Sequence, residues 1–568
     1  MKGAARRRPV FLSIILHAHL PFLRQPEYEH PLEEIWFHEA MLECYLPLAR
    51  CFRNLHREEV PFRLAFSFSP TLSTMMRDRY FRERFERFLN ERVELAEREV
   101  ERFWAIPALQ RLACFYHRRF LKLKRFWEEE IGGDIISLFR ELEEEGRLEL
   151  MTTAATHAYL PVFDVEESTV EAQVKIGVES HRQHFGRIPP GFWLPECGYT
   201  RNAERALVEA GIRYTVLDFH GLRRYGERGR CEGAWGPGPA GLMVSKSGLY
   251  LFGRDPDASR LVWSARDGYP ADGVYREFHR DGLEEAEFGY ARPYRHPLGS
   301  GVPSGMKYHR VTSLETPLRK KEIYDPGEAE KKAREHARAF LKWCERRRGE
   351  RETGIVVPFD AELFGHWWYE GPEFLESLIR EARESVVRLR TPGDLLKRKK
   401  RVEKGEGVFS SWGNHGFSSV WLDPSNDWIY PELHRASEAM RSAALRFWEE
   451  GGDRERILNQ AVRELLLAQA SDWPFMMKAG TTVGYARTRF LRHIERFWKL
   501  LAMAESGETE EAFLRDCEDG GSVFPWIDFR IFGLRNMRKG RERQKAKGKR
   551  QKGKGKRQKE KGNRIFGA

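Results

Sequence analysis

A chain of 568 residues, 41% apolar and 12% aromatic, can bury a large core in two or three domains, which excludes a disordered or fibrous protein. Its formal charge of +12 is concentrated at one end: residues 538–568 hold fifteen Lys or Arg against Glu542 and Glu560, and setting that +13 aside leaves residues 1–537 at about −1. A nucleic-acid enzyme would carry its positive charge on the folded body, so the basic tail reads as a solubilising or membrane-adhering segment, or as a nonspecific, salt-dependent contact for polyanions such as RNA.

The chain opens MKGAARRRPVFLSIILHAHLPF. The run Val10–Leu16 is at the lower length limit of an export signal, and His17 and His19 stand where the small residues of a cleavage site are needed, so it reads as a buried first strand. No stretch of about 20 apolar residues is long enough to span a bilayer. Further strand-like runs follow at Leu64–Phe68, Leu148–Thr152, Tyr214–Leu217 and Ile355–Phe359. Amphipathic, charge-rich stretches separate them at 75–145, 169–184, 201–210, 326–350 and 372–388. Strands alternating with long crossovers predict an α/β fold whose parallel strands are covered on both faces. The 75–145 stretch is too long for one crossover helix and predicts a helical excursion, while the Gly-, Pro- and Arg-rich residues 221–310 predict long loops or a small insertion.

The texture changes near residue 400, after which an aromatic segment, Ser410–Tyr430, leads into helical patterns around 431–449, 453–469 and 484–503. The expected division is therefore a catalytic α/β unit over 1–398, a helical C-terminal unit over 399–535 and a disordered tail over 536–568. Seven cysteines, at 44, 51, 114, 197, 231, 344 and 517, form no CxxC pair, which suits reduced thiols in the cytoplasm.

Polar residues cluster just after the strand-like runs: His17 and His19; His157; Glu196 in Trp193-Leu-Pro-Glu; Asp218 and His220; and Asp360, followed by Glu362, His366, Trp367 and Trp368. In a barrel such strand ends converge on one mouth. The set supports two chemistries. His beside carboxylate is a metal-ligand composition, suited to a divalent-metal hydrolase. Two carboxylates with His donors and Trp faces equally make a sugar site, and the Trp density around Glu196 and Asp360 tilts towards sugars. Structural roles also fit: Asp360 can cap a helix, and His366 can satisfy a buried carbonyl.

At these residues the chain resembles glycoside hydrolase family 57, most of all the branching enzymes within it. His17-x-His19-x-Pro21 is similar to the family's first signature, Gly191-Phe-Trp-Leu-Pro-Glu196 to its nucleophile segment, and Pro358-Phe-Asp360-Ala-Glu-Leu-Phe-Gly-His366-Trp-Trp to its acid/base segment. SSWGNHGFSSVWLDPSNDWIY at 410–430 and Asp472-Trp-Pro-Phe475 are similar to segments of the branching enzymes' helical domain. The resemblance covers roughly residues 10–532 and implies a distorted (β/α)7 barrel, retaining chemistry on α-1,4-glucans, and no metal or other cofactor. It implies Glu196 as nucleophile and Asp360 as acid/base. Glucan contacts would fall on His17, His19, His157, Trp193, Asp218, His220, Trp263, His366, Trp367, Trp412, Trp421, Asp472 and Trp473. The implied partners are a donor and an acceptor α-glucan, with no obligatory protein partner and a monomer favoured. The chain departs from the family after Leu222, where RRYGERGRCEGAWGPGPAG replaces a shorter, more apolar loop, so that either Tyr225 or Trp235 would close the cleft. The departure leaves a hydrolysing α-amylase or a 4-α-glucanotransferase as the alternative to branching. A noncatalytic glucan-binding protein is the different-class alternative, disfavoured by the presence of both Glu196 and Asp360.

Overall fold

The apolar run that opens the chain becomes the strand around which the sheet is built. In the computed structural model, which describes residues 9–29, 31–225, 231–232, 241–296, 302–347, 353–398 and 402–537, twelve strands form one mixed sheet. They are β1 (Val10–Ala18), β2 (Leu64–Phe68), β3 (Leu148–Thr153), β4 (Gly191–Trp193), β5 (Tyr214–Leu217), β6 (Leu222–Tyr225), β7 (Cys231–Glu232), β8 (Leu242–Val244), β9 (Tyr250–Gly253), β10 (Thr353–Asp360), β11 (Val387–Leu389) and β12 (Glu403–Gly407).

Seven of them, in the order β10-β1-β2-β3-β4-β5-β9, run parallel to one another and curl into a barrel. The two outer members come together where the Asp255 N–H, just past β9, donates to the Val356 carbonyl of β10 at 2.9 Å. β11 adds to the start of β1, and β8, β12, β6 and β7 extend the other edge. The expected α/β class and the distorted (β/α)7 barrel are therefore present.

Side chains on β1 alternate with the pleat. Leu12, Ile14 and Leu16 pack outwards under the helices. Phe11 and Ile15 face the barrel interior with Ala65, Met151, Trp193, Tyr214, Val216 and Phe252. His17 lies two residues beyond Ile15 on that inner face, at the last rung of the barrel. The floor is closed by Glu149, which accepts from Tyr214 Oη at 2.6 Å, Thr391 Oγ1 at 3.0 Å and the Gly393 N–H at 3.0 Å.

The helical excursion is real and consists mainly of Arg79–Arg102, Pro107–Arg125 and Ile135–Glu144. The amphipathic 372–388 stretch is not one helix: the helix Gly371–Glu381 ends early, and Val387 starts β11. At the C-terminal end the helices Ile429–Arg446, Gly452–Ala468 and Val483–Ser506 pack together, with Asp472–Ala479 laid across the last of them. These helices are clamped onto the helix Glu167–Phe185 and onto the strand-end loops. Gln173 Nε2 donates to Gln469 Oε1 at 2.9 Å, the Ser471 N–H donates to the His157 carbonyl at 3.3 Å, and Arg489 Nη2 donates to the Phe22 carbonyl at 3.0 Å.

Candidate active site

Strand register sets the site. His17 is paired with Asp360 on one side and with Ser67 on the other, so three polar residues of adjacent strands share one level at the C-terminal mouth. β3 delivers His157 four residues past its end, β4 delivers Glu196 three past its end, and β5 delivers Asp218 directly.

The loop carrying Glu196 is strained. Glu196 and Cys197 have φ of 61° and 54°, and His157 has 55°, a region that costs non-glycine residues about 1–3 kcal/mol each. Backbone bonds hold the turn: Cys197 N–H to the Leu194 carbonyl, Gly198 N–H to the Pro195 carbonyl, and Trp412 N–H to the Glu196 carbonyl, each 2.9 Å. The Trp412 indole Nε1–H then donates to Glu196 Oε2 at 2.7 Å, fixing the carboxylate as well as its backbone.

Three histidines stack beside it. His19 lies 3.9 Å from His157 between ring centroids, and His17 lies 5.0 Å from His157. His17 and His157 meet at 3.0 Å between their Nε2 atoms, where one ring donates to the other. Their remaining Nδ1 atoms bond Ser67 Oγ at 3.2 Å and Ser471 Oγ at 2.9 Å. Burial, then the neighbouring imidazoles, holds both well below the usual histidine range, so they are neutral polar groups at the mouth. His19 behaves oppositely. Burial works against its charge, but Asp472, 3.1 Å from Nε2, and the charges of Glu362 and Glu196 raise its pKa overall.

The two candidate catalytic carboxyls are shifted to different extents. Burial raises Glu196 to about 7, against the Trp412 hydrogen bond and the His19 charge. Asp360 is pushed well above the carboxylate range by burial, then by Glu362 and Glu196, with Arg254 opposing. Carboxyls separated in this way can serve as one ionised and one protonated group. Asp360 does not cap the turn that follows it: its side chain makes no such bond.

The remaining expected contacts divide into three groups. Trp193 is buried between His17 and Trp412, at 5.3 and 4.9 Å, and backs the site rather than facing it. Asp218 binds Arg254 Nη2 at 2.7 Å, and Arg254 lies over the Trp412 ring. His220 Nε2 donates to the Gly416 carbonyl at 2.7 Å. Gly416 has φ of 76°, and a Cβ there would stand 2.6 Å from the His220 ring, so the contact needs glycine.

On the β10 side, His366 Nδ1 donates to Glu43 Oε2 at 2.8 Å, while Trp367 is 58% exposed and stacks on Phe278. Trp263 is 60% exposed at the end of the helix Pro256–Trp263, with no hydrogen bond or ring contact to Glu196 or Asp360 among the described residues.

Two expected cleft residues are interior instead. Trp421 is 2% exposed and stacks on Tyr159, while Trp473 is 1% exposed with its Nε1 donating to the Leu467 carbonyl at 2.8 Å. Both are too deeply packed to offer a face to a sugar. The backbone of Tyr225 pairs with Cys231, but its side chain, like all of Trp235, lies outside the described residues.

Sequence reasoning missed Arg254, Glu362 as a bonded partner of the site, Tyr45, Ser67 and Ser471. Arg254 follows a strand hidden in the loop-like insertion, where the apolar run Leu249–Phe252 was the available signal. As for metal ligands, Glu39, Glu43 and His366 are close enough among the described residues to hold an ion. Arg276, 2.8 Å from Glu43, and nearby Lys307 already supply the countercharge there, which disfavours a cation.

Comparison with known proteins agrees with this layout. The sequence pattern of "Glycosyl hydrolase family 57" matches residues 13–282, and that of "1,4-alpha-glucan branching enzyme, C-terminal" matches residues 432–532. A 1,4-alpha-glucan branching enzyme of Thermococcus kodakarensis is 31% identical, covering 90% of this chain and 77% of that protein. Among solved structures, the alpha-amylase AmyC of Thermotoga maritima has a TM-score of 0.84 at 38% identity, covering 92% of this chain and 99% of that one. The family 57-type branching enzyme of Pyrococcus horikoshii has a TM-score of 0.81 at 30% identity, covering 92% and 97%.

Proposed function

Since the chain belongs to glycosyl hydrolase family 57, we propose that it is a retaining 1,4-α-glucan branching enzyme whose working carboxyls are Glu196 and Asp360. Ionised Glu196 attacks the anomeric carbon of an α-1,4-linked glucose from the face opposite the leaving oxygen. Asp360 gives that oxygen its proton as the bond breaks. The acid limb of activity then reports Glu196, at about 7 in the free enzyme. Asp360, held protonated to higher pH, sets the basic limb.

The product of this step is a glycosyl ester on Glu196, whose charge is thereby removed. Asp360, now a carboxylate, takes a proton from the 6-hydroxyl of a second glucan as that oxygen attacks the anomeric carbon, whose bond to the Glu196 carboxylate breaks. The result is an α-1,6 branch and free Glu196. His17 and His157 spend both ring nitrogens on each other and on Ser67 and Ser471, whereas the buried Nδ1 of His19 has no partner and is placed to hydrogen-bond a hydroxyl of the cleaved sugar, and exposed Trp367 offers a ring for stacking.

The observation that carries the branching reading is that groups beyond the barrel reach its carboxylate: Trp412 donates to Glu196 at 2.7 Å, and Asp472 holds His19 at 3.1 Å. A helical unit built into the mouth can hold an acceptor chain where water would otherwise react, and such preorganisation is worth up to about 7–11 kcal/mol. We divide the chain into a catalytic unit and this helical unit near Gly407, where β12 leaves the sheet, later than the 398 boundary expected from composition. A reducing compartment such as the cytoplasm suits the six cysteines whose side chains are described, all free thiols; no helix among the described residues is long and apolar enough to cross a membrane.

Hydrolysis is the second reading, favoured by the likeness to the Thermotoga amylase. The deciding experiment incubates the protein with amylose and counts new α-1,6 linkages against new reducing ends. Branching predicts linkages in excess; reducing ends alone would make the protein an amylase.

A further inference from the structure

The turn after β10 carries a carboxylate that the two-residue mechanism leaves idle. Glu362 Oε1 accepts the His19 backbone N–H at 3.1 Å and the Tyr45 hydroxyl. One residue earlier, Cys44 Sγ donates to the Ala361 carbonyl at 3.0 Å. Tyr45 and Cys44 belong to the buried π-helical turn Met41–Tyr45. At the far end of the same loop, Gly365 has φ of 121°, and a Cβ there would lie 1.9 Å from the Glu43 carbonyl oxygen. The loop bearing Asp360 is thus held at three points by that turn and by the end of β1, and Glu362 is the one anchor with charge.

We propose that Glu362 is a positioning residue acting through Asp360: tied to Tyr45 and to the His19 backbone, it fixes the turn that presents the general acid and sets a negative charge beside it. This rests on Asp360 being the acid/base. Two donors converging on one oxygen favour ionised Glu362, although burial works the other way and its pKa remains raised. After burial, the Glu362 charge is the largest influence holding the proton on Asp360, ahead of Glu196.

The distinction matters for the second half of the reaction. Esterification removes the Glu196 charge, but that of Glu362 persists, so Asp360 remains a strong base when the acceptor hydroxyl must be deprotonated. The other groups facing this corner are Tyr45 and Cys44, both pushed well above their usual ranges and hence neutral, His19 with Asp472, and Arg254, which opposes the effect on Asp360.

The test compares Glu362→Gln, Tyr45→Phe and Asp360→Asn on two substrates: amylose, whose leaving oxygen needs a proton, and α-maltotriosyl fluoride, whose fluoride leaves with little help. For Glu362→Gln, the basic limb of kcat/KM on amylose moves down by about one pH unit, a shift expected for loss of a neighbouring like charge. At pH values above the wild-type basic limb that is a loss of about tenfold, while the fluoride falls by about threefold or less. Tyr45→Phe, which removes one anchor and keeps the charge, loses a few-fold on amylose and less on the fluoride.

An unchanged basic limb, or equal losses on both substrates, overturns the proposal. If Glu362→Gln does not fold, judged by circular dichroism, the ratio of the Tyr45→Phe losses decides on the same criterion. Asp360→Asn separates the two levels. If it still cleaves amylose, the acid/base reading itself fails. If it is inactive on amylose while Glu362→Gln keeps the wild-type profile, only the role of Glu362 fails.

Discussion

In the barrel, His17, Glu196, Asp218 and Asp360 lie at a strand end or within three residues of one, whereas the helical extension reaches the same mouth through Trp412 on an irregular loop and Asp472 at the start of a helix. The barrel groups are placed by register: neighbouring strands cannot slip without turning side chains from one face to the other. The extension's groups are placed by side-chain bonds, with Trp412 tied to Glu196 and Asp472 to His19. Bond breaking therefore rests on the rigid part. The choice of acceptor rests on the part whose position depends on a few contacts, and a family can retune that part without rebuilding its carboxylates.

The sharpest way to break this comparison is on the barrel side. Glu196→Ala is expected to lower amylose turnover by about 10⁴-fold, the scale of losing a nucleophile. With α-maltotriosyl fluoride and added azide, activity should return and give the β-glycosyl azide, because the small anion occupies the space of the missing carboxylate. Recovery of the α-azide, or turnover of amylose by the variant at a substantial fraction of wild type, would remove Glu196 from the role.

The next largest effect lies in the extension and is one of stability. Trp473 is buried with its indole N–H satisfied by the Leu467 carbonyl, so Trp473→Ala should cost about 3–5 kcal/mol, read as a lower denaturant midpoint. Where the variant is folded, its ratio of α-1,6 linkages to reducing ends should match wild type. A changed ratio with unchanged stability would return Trp473 to the glucan surface where its motif had placed it.

That residue also shows what the sequence could convey. The strands β1, β2, β3, β5 and β10 were legible as apolar runs bounded by polar residues, and the site residues after β1, β5 and β10 came with them. β4 is only three residues long and follows Pro189-Pro190, and β9 sits inside the Gly- and Arg-rich insertion, so Arg254 went unseen. The helical stretch Glu34–Arg57 contains Pro47, which in sequence reads as a break. The chain accommodates it by running through the π-helical turn Met41–Tyr45, the element that anchors Glu362. An aromatic motif records that rings are needed without telling which face water. Of Trp412, Trp421 and Trp473, only Trp412 touches the candidate nucleophile.

Trp412→Phe sharpens the comparison on the side of charge. The indole N–H stabilises ionised Glu196, so removing it raises the Glu196 pKa above about 7. Because Glu196 must be ionised to attack, the acid limb of kcat/KM should move to higher pH by about one unit, with roughly tenfold lower activity at pH 6. The basic limb, set by Asp360, should stay. Movement of both limbs together would mean that the loop had shifted as a body.

The smallest effect is expected where neither region is touched. Residues 538–568 carry a charge of +13, while the rest of the chain is near neutral. An amylose chain has no charge for the tail to attract, so its deletion should leave kcat and KM on amylose within about twofold. Long-range attraction requires a charged partner, and a polyanion is the ligand such a tail suits. Binding of the full chain to heparin, weakening with salt and absent from the truncated form, would confine the tail to that role. A truncated protein that keeps its fold but loses amylose turnover would instead make the tail part of the glucan-handling surface.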